Sequence, residues 1–280
     1  MLEISPIVLF VYNRPWHTEQ TLNALMQNEL ADQSVLYIYS DGPKENATEE
    51  QLIKIEEVRQ VIRKKKWCKE VHIIESEKNK GLADSIISGV TEIVNQYGKV
   101  IVLEDDIITS PGFLKYMNDA LNMYSDDERV GCIHAWNYDL DSTGYRDSTF
   151  FLKGADCWGW ATWKRSWDFL DEDGKALMQS LVSKKQQFEF DRRGTHKYIE
   201  MLQSQINGTN DSWAIRWHAS LFLANKYCLH PTKTIVKNIG LDNSGIHCGP
   251  LQIAQNPIDF IKVNKIKVRE SEWFYKAFNA

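Results

Sequence analysis

Three carboxylates in a row, Glu104, Asp105 and Asp106, follow directly on the apolar run Val100-Ile-Val-Leu103. Four apolar residues bounded by polar ones read as a strand buried on both faces. At the end of such a strand three like charges repel one another unless a cation or a ligand's donors offset the repulsion. An all-oxygen set of this kind suits a hard divalent ion. A solvated acidic turn is the simpler account of most such runs. Here a helix start follows at once: Ser110 can cap, Pro111 suits the first helical position, and Phe113, Leu114, Met117, Leu121 and Tyr124 form one apolar face. A strand, an acidic loop and a helix make a site edge.

The elements that must position this edge alternate regularly. Strands are predicted over 7–11, 35–39, 71–74, 100–103 and 130–134. Between them lie a helix opened by Pro15, a helix led by the capping box Thr48-Glu-Glu-Gln51, and a helix carrying Leu82, Ile86, Val90 and Ile93 on one face. This is the pattern of an α/β fold with a doubly wound, mostly parallel sheet, in which ligands sit outside the carboxyl ends of the strands. The residues at those ends are Asn13 and Arg14, then Asp41 and Gly42, then Asn79, Lys80 and Gly81, then the acidic triplet. They mix cations for phosphate, carboxylates for metal, and hydrogen-bonding groups for a base and ribose. Any one of them is an ordinary turn residue; their recurrence at four exits is the signal. No GxGxxG follows the first strand and no GxxxxGK[ST] occurs, so a nucleotide here must be gripped by side chains and a metal.

Bulk properties exclude several classes. With 280 residues, 43% of them hydrophobic, the chain can bury a large core. A net charge of -5 offers no basic field for nucleic acid. No apolar run approaches the roughly 20 residues that span a bilayer, and the first residues lack the basic and apolar regions of a signal peptide, so a cytoplasmic location is expected. The five cysteines are scattered without a CxxC pair, against both a zinc knuckle and a disulfide framework.

The second half reads differently. Of ten tryptophans, seven fall between Trp136 and Trp217, and the stretch Gly154-Ala-Asp-Cys-Trp-Gly-Trp-Ala-Thr-Trp163 sets small residues between large aromatics. Indole faces flanking a close backbone suit a sugar's C–H face, which predicts a wall containing Trp158 and Trp160; a Trp-rich core corner is the competing account. The segment 170–205 reads as polar, helical and solvated. Asp211, in Asn210-Asp-Ser-Trp213, is either the cap of the following helix or a functional carboxylate. The glycine-bearing loop 237–249 can close over a diphosphate, with His247 either reaching the metal or phosphates or lying on the surface. The tail from Asn256 is basic and aromatic, fit either to touch anionic lipid at the inner face of the membrane or to pack as a terminal element.

The stretches PIVLFVYNRPWHTEQTL, SDGP, NKGLADSI, VIVLEDDIITSPGFLKYM and HAWN resemble a nucleotide-sugar-dependent glycosyltransferase of the GT-A fold. Among these the chain is most similar to the N-acetylglucosaminyltransferase I type and its bacterial relatives that build surface polysaccharides. The resemblance implies that Asp106 binds Mn2+ (or Mg2+) directly, that Asp105 lies by the ribose and Glu104 by the donor sugar, and that Arg14 and Asp41 flank the nucleotide, Asp41 accepting from uracil N3. A further nucleotide contact falls at Asp84 or Ser85. It also implies a donor-sugar and acceptor wall around Trp136, Asn137, Asp156, Trp158, Trp160 and Trp213, and a catalytic Asp beside a Trp, which places Asp211 as the base with Asp156 as runner-up. The expected organisation is a nucleotide-sugar-binding half (1–135), a smaller acceptor and catalytic half of the same domain (136–255) and a tail (256–280). The expected activity is metal-dependent, inverting transfer from a UDP-sugar to a hydroxyl of a glycan or lipid-linked glycan. A sugar-1-phosphate nucleotidyltransferase and a non-catalytic glycan-binding protein are the rivals.

Overall fold

A computed structural model describes residues 3–242 and 253–278. In chain order the elements are β1 (Ile7–Val11), α1 (Pro15–Met26), β2 (Val35–Ser40), α2 (Glu49–Arg63), β3 (Glu70–Glu75), α3 (Leu82–Tyr97), β4 (Lys99–Glu104), β5 (Ile107–Thr109), α4 (Phe113–Met123) and β6 (Val130–His134). There follow β7 (Thr149–Lys153), β8 (Trp160–Trp163), α5 (Lys164–Trp167), α6 (Gly174–Ser183), α7 (Gln187–Phe190), α8 (Tyr198–Ile206), α9 (Trp213–Leu223), β9 (Tyr227–Pro231), β10 (Val236–Asn238) and α10 (Glu272–Phe278). Eight strands form one sheet in the order β3-β2-β1-β4-β8-β6-β9-β7, while β5 and β10 pair as a separate antiparallel ribbon. The strands β3, β2, β1 and β4 are parallel. Strand β8 runs against β4 and β6, β9 is parallel to β6, and β7 runs against β9.

The strand–helix alternation is thus realised as a mostly parallel sheet wound on both faces. Side chains alternate across a strand, and the core divides accordingly. Ile7, Leu9 and Val11 of β1 pack with Leu22, Leu25 and Val58 from α1 and α2. Val8 and Phe10 pack on the other face with Ile86, Val90 and Ile93 of α3 and Trp217 of α9. The capping box of α2 is present: Gln51 N–H donates to Thr48 Oγ1 at 3.3 Å and Thr48 N–H to Gln51 Oε1 at 3.0 Å. After β1 the chain moves outward to β2 and β3 and returns to β4 on the other side of β1. The order therefore reverses between β1 and β4, where a doubly wound sheet opens a crevice.

Two expectations are corrected, and one of the two readings of the tail is seen. The helix after the acidic triplet does not begin at Ser110-Pro111: β5 intervenes, and α4 starts at Phe113 behind Gly112 with no side-chain cap. The Ser110 amide instead donates to Ile235 O at 2.9 Å, continuing the ribbon with β10. The segment 170–205 is not a solvated excursion, because Leu177, Leu181, Phe190 and Leu202 form a core with Ile215, Ala219 and Phe222 of α9. Most of its charges are partly or fully exposed around this core, while Arg192 is buried, a mixture that composition alone cannot separate from a wholly exposed segment. Finally, the tail packs: Phe274 and Tyr275 of α10 cover Phe150 and Leu152 of β7. Among the described residues, no helix is long and apolar enough to cross a membrane.

Candidate functional site

A cavity of about 740 Å³ opens at the carboxyl edge of the sheet, with Asn13 and Arg14 after β1, Asp41 after β2, Gly81 after β3 and Glu104 and Asp105 after β4 in its wall. The four strand exits singled out in the sequence therefore meet. Gln205 of α8 and Gly208, Thr209, Asn210 and Asp211 of the loop before α9 also line the cavity.

The acidic triplet holds a cation supplied by the chain. Arg14 Nη2 donates to Asp105 Oδ1 and, at 2.9 Å, to Asp106 Oδ2, while Nε reaches Asp105 Oδ2 at 3.2 Å. Burial disfavours the Arg14 charge, but Asp105 and Asp106 outweigh it and bind its proton more tightly than in water. Burial, then Asp106 and Asp105, push the Glu104 carboxyl up to about 8. Burial also raises Asp105, against the pull of Arg14. Glu104 has no hydrogen-bond partner among the described residues. The backbone beneath is pinned: Thr21 Oγ1 donates to Asp105 O at 2.8 Å and Ile239 N–H to Asp106 O at 2.9 Å. The turn after β10 lies directly on this centre. A β-carbon at Gly240 would collide with Asp106 Oδ2 and stand 2.9 Å from Arg14 Nη1, so a side chain there would displace the carboxylate and the guanidinium. His247, named from the sequence as a candidate metal ligand, lies outside the described residues.

An all-oxygen set with a guanidinium already seated between two of its members is a cation site in which the residues present fit a hard divalent ion. Asp106 and Asp105 would hold it.

Asp41 is hydrogen-bonded to the chain around it. Its Oδ1 accepts from the Gly42 and Lys80 amides at 2.8 and 2.9 Å, and Oδ2 from Asn79 Nδ2 and the Gly81 amide at 2.9 and 3.0 Å. These bonds position the 79–81 turn that borders the cavity, and Asp41 itself lines that cavity. Lys80 contributes its amide to that turn and its side chain is exposed. Of the pair Asp84 and Ser85, Ser85 lines the cavity, while Asp84 is exposed on the first turn of α3.

Asp211 does not cap α9. Ser212 does, its Oγ accepting from the Ile215 amide at 3.2 Å. Asp211 is exposed and lines the cavity that Glu104 and Asp105 also line. Asp211 in Asn210-Asp-Ser-Trp213 was the one residue of this segment that the sequence singled out; Lys44 and Gln205, which also border the cavity, carried no such signal.

The sequence matches the GNT-I family over residues 2–172, more than half of the chain. The chain belongs to the GNT-I family. No curated protein matches it. Among solved structures it is similar to S. aureus TarS, at 15% identity over 54% of this chain and 25% of that one, with a TM-score of 0.33. It is similar to mouse xyloside xylosyltransferase 1 at 11% identity over 48% of this chain and 53% of that one, TM-score 0.31. A UDP-glucose pyrophosphorylase complexed with UDP-glucose aligns at 12% identity over 60% and 79% of the two chains, TM-score 0.33. These likenesses are too distant to speak to activity, and the chain spans only a quarter of TarS and about half of its 1–349 fragment.

In this GNT-I family member the aromatic wall is largely core. Trp160 is fully buried and stacks on Trp213 at 5.3 Å, beside Trp167 and Trp217, so Trp160 and Trp213 face no sugar. Trp136 and Asn137 are buried as well, Asn137 donating to Thr232 O at 3.2 Å. Trp158, edge-on to Trp136 at 4.8 Å, is the wall residue that keeps part of its surface. The physical reason is size: an indole on a strand of a two-faced sheet has a helix above it on either side.

Asp156 sits at a buried polar cluster. His134, Asp156 and His230 place one ligand atom each within 4.8 Å of one another and could hold a metal ion. The donor directions favour hydrogen bonding instead. The Trp158 amide donates to His134 Nε2 at 3.1 Å, which leaves the proton of neutral His134 on Nδ1, facing His230 Nδ1 at 3.3 Å. Burial acts to raise the Asp156 carboxyl, yet His134 and Arg192 hold it well below the usual range. Such a carboxylate is a poor proton acceptor.

Proposed function

We propose that this chain is a metal-dependent, inverting glycosyltransferase that moves a sugar from a UDP-sugar to a hydroxyl of a glycan. The observation that carries the reading is that Asp211 lines the same cavity as Glu104 and Asp105. Inversion needs a carboxylate on the face of the donor sugar away from the departing diphosphate. A bound divalent ion supplies Lewis-acid stabilisation of charge on the diphosphate. The chain's own groups do the rest. Arg14 offers a fork suited to a phosphate. The 79–81 turn and Ser85 border the nucleotide, Glu104 faces the donor sugar, and Asp211 takes the proton from the incoming hydroxyl. Asp156 is a weaker candidate because its proton affinity is depressed. Residues 1–135 are the donor half on this reading and 136–255 the acceptor half, the acceptor being a free or lipid-linked glycan. Release of UDP from a panel of UDP-sugars with Mn2+ tests the reading. Pyrophosphate formation would mean a nucleotidyltransferase, and no release a glycan-binding protein.

A further inference from the structure

Arg14 is anchored at both ends, its backbone at the start of α1 and its guanidinium on the acidic triplet. Its carbonyl accepts from the Thr18 amide at 3.0 Å and from Thr18 Oγ1 at 2.9 Å at the start of α1. The guanidinium lies on Asp105 and Asp106, the oxygens that would hold a metal ion, and its Nη1 is buried with no acceptor among the described residues. A divalent ion coming to Asp106 meets both a blocked oxygen and a like charge. A diphosphate, in contrast, gives an arginine fork two oxygens to accept from it, including a partner for the unsatisfied Nη1.

We propose that Arg14 is a resident counter-ion that couples the two ligands: it neutralises Asp105 and Asp106 before they arrive, releases them to the divalent ion, and turns its fork to the nucleotide diphosphate. Metal and nucleotide then bind cooperatively, each tightening the other by the same factor. The inference rests on the nucleotide-sugar reading of the cavity. It differs from a purely structural role for Arg14, in which removing the guanidinium leaves the metal's intrinsic affinity no better.

The test is Mn2+ binding followed by the electron paramagnetic resonance signal of the free ion, with and without UDP. In the wild type UDP should tighten Mn2+ binding by about 5- to 150-fold, the usual span of coupling between two sites. Arg14→Gln should bind Mn2+ more tightly than wild type when UDP is absent, and UDP should add a smaller factor than it does in the wild type. Arg14→Lys keeps the charge without the fork, so Mn2+ alone should still bind weakly while most of the coupling disappears. Arg14→Gln that is folded by circular dichroism but binds Mn2+ alone no better than wild type overturns the inference, as does full coupling in Arg14→Lys. Both results leave the donor-site reading standing. A wild-type protein that takes no Mn2+ even with UDP overturns that reading and the inference together.

Discussion

The two polar regions at the carboxyl edge of the sheet handle charge in opposite ways. At the exits of β1 and β4, three carboxylates face one guanidinium across the wall of an open cavity. Beneath the 154–159 loop, Asp156, Arg192, His134 and His230 are packed together, with Arg192 only 3% exposed. The first region keeps an excess of negative charge next to space, and so is built to exchange partners. The second region satisfies its charge internally, and so is built to hold shape. Perturbed groups occur in both, which shows that perturbation alone does not mark a reacting group; access to a cavity does.

Substitutions can break or sharpen that contrast. The largest effect is expected at Asp211. Asp211→Asn should bind UDP and Mn2+ as wild type does and lose roughly 10²–10⁴-fold in transfer, the usual worth of a positioned base, whereas Asp156→Asn should mainly lower stability. If the rate loss appears at Asp156 and not at Asp211, the roles of the two regions are reversed.

Trp160→Ala comes next. A core indole of this size is worth about 3–5 kcal/mol of folding free energy, so denaturant unfolding should show a loss of that order. A variant of wild-type stability that has lost sugar affinity would restore Trp160 to the wall.

Asp41→Ala should weaken the 79–81 turn by about 1.5–3 kcal/mol, the range for hydrogen bonds to a charged group, read as a fall in UDP affinity. Because Asp41 acts through the turn, CDP affinity should fall equally. A loss confined to UDP would show that the carboxylate reads the base after all.

The smallest effect concerns pH. Burial, reinforced by Arg192, holds His134 and His218 down to about 4. The unfolded chain takes up these protons near its ordinary histidine value and the folded chain does not. The stabilisation is therefore present above about pH 6.5 and is lost as pH falls from there toward about 4. Denaturation at about pH 5 should show roughly 1–2 kcal/mol less stability per histidine than at about pH 7.5. Unchanged stability would mean that these rings are not held neutral and that the region is more open than the structure shows.

What the sequence by itself determined was local and periodic. Alternating apolar runs located β1, β2, β3, β4 and β6, the spacing around Thr48 located a capped helix, and the acidic triplet marked the functional edge, because these signals depend on neighbours within a few residues. The tertiary structure decided everything that turns on long-range contact. It brought Asp211 to the same cavity as Glu104, seated Arg14 on Asp105 and Asp106 over 91 and 92 positions of sequence, bonded Asp41 to the 79–81 turn and laid Gly240 against Asp106. It also turned most of the tryptophans inward. An indole is equally at home against a sugar or in a core, and a carboxylate's chemistry is set by the donors, charges and open space around it, none of which is written in the residues beside it.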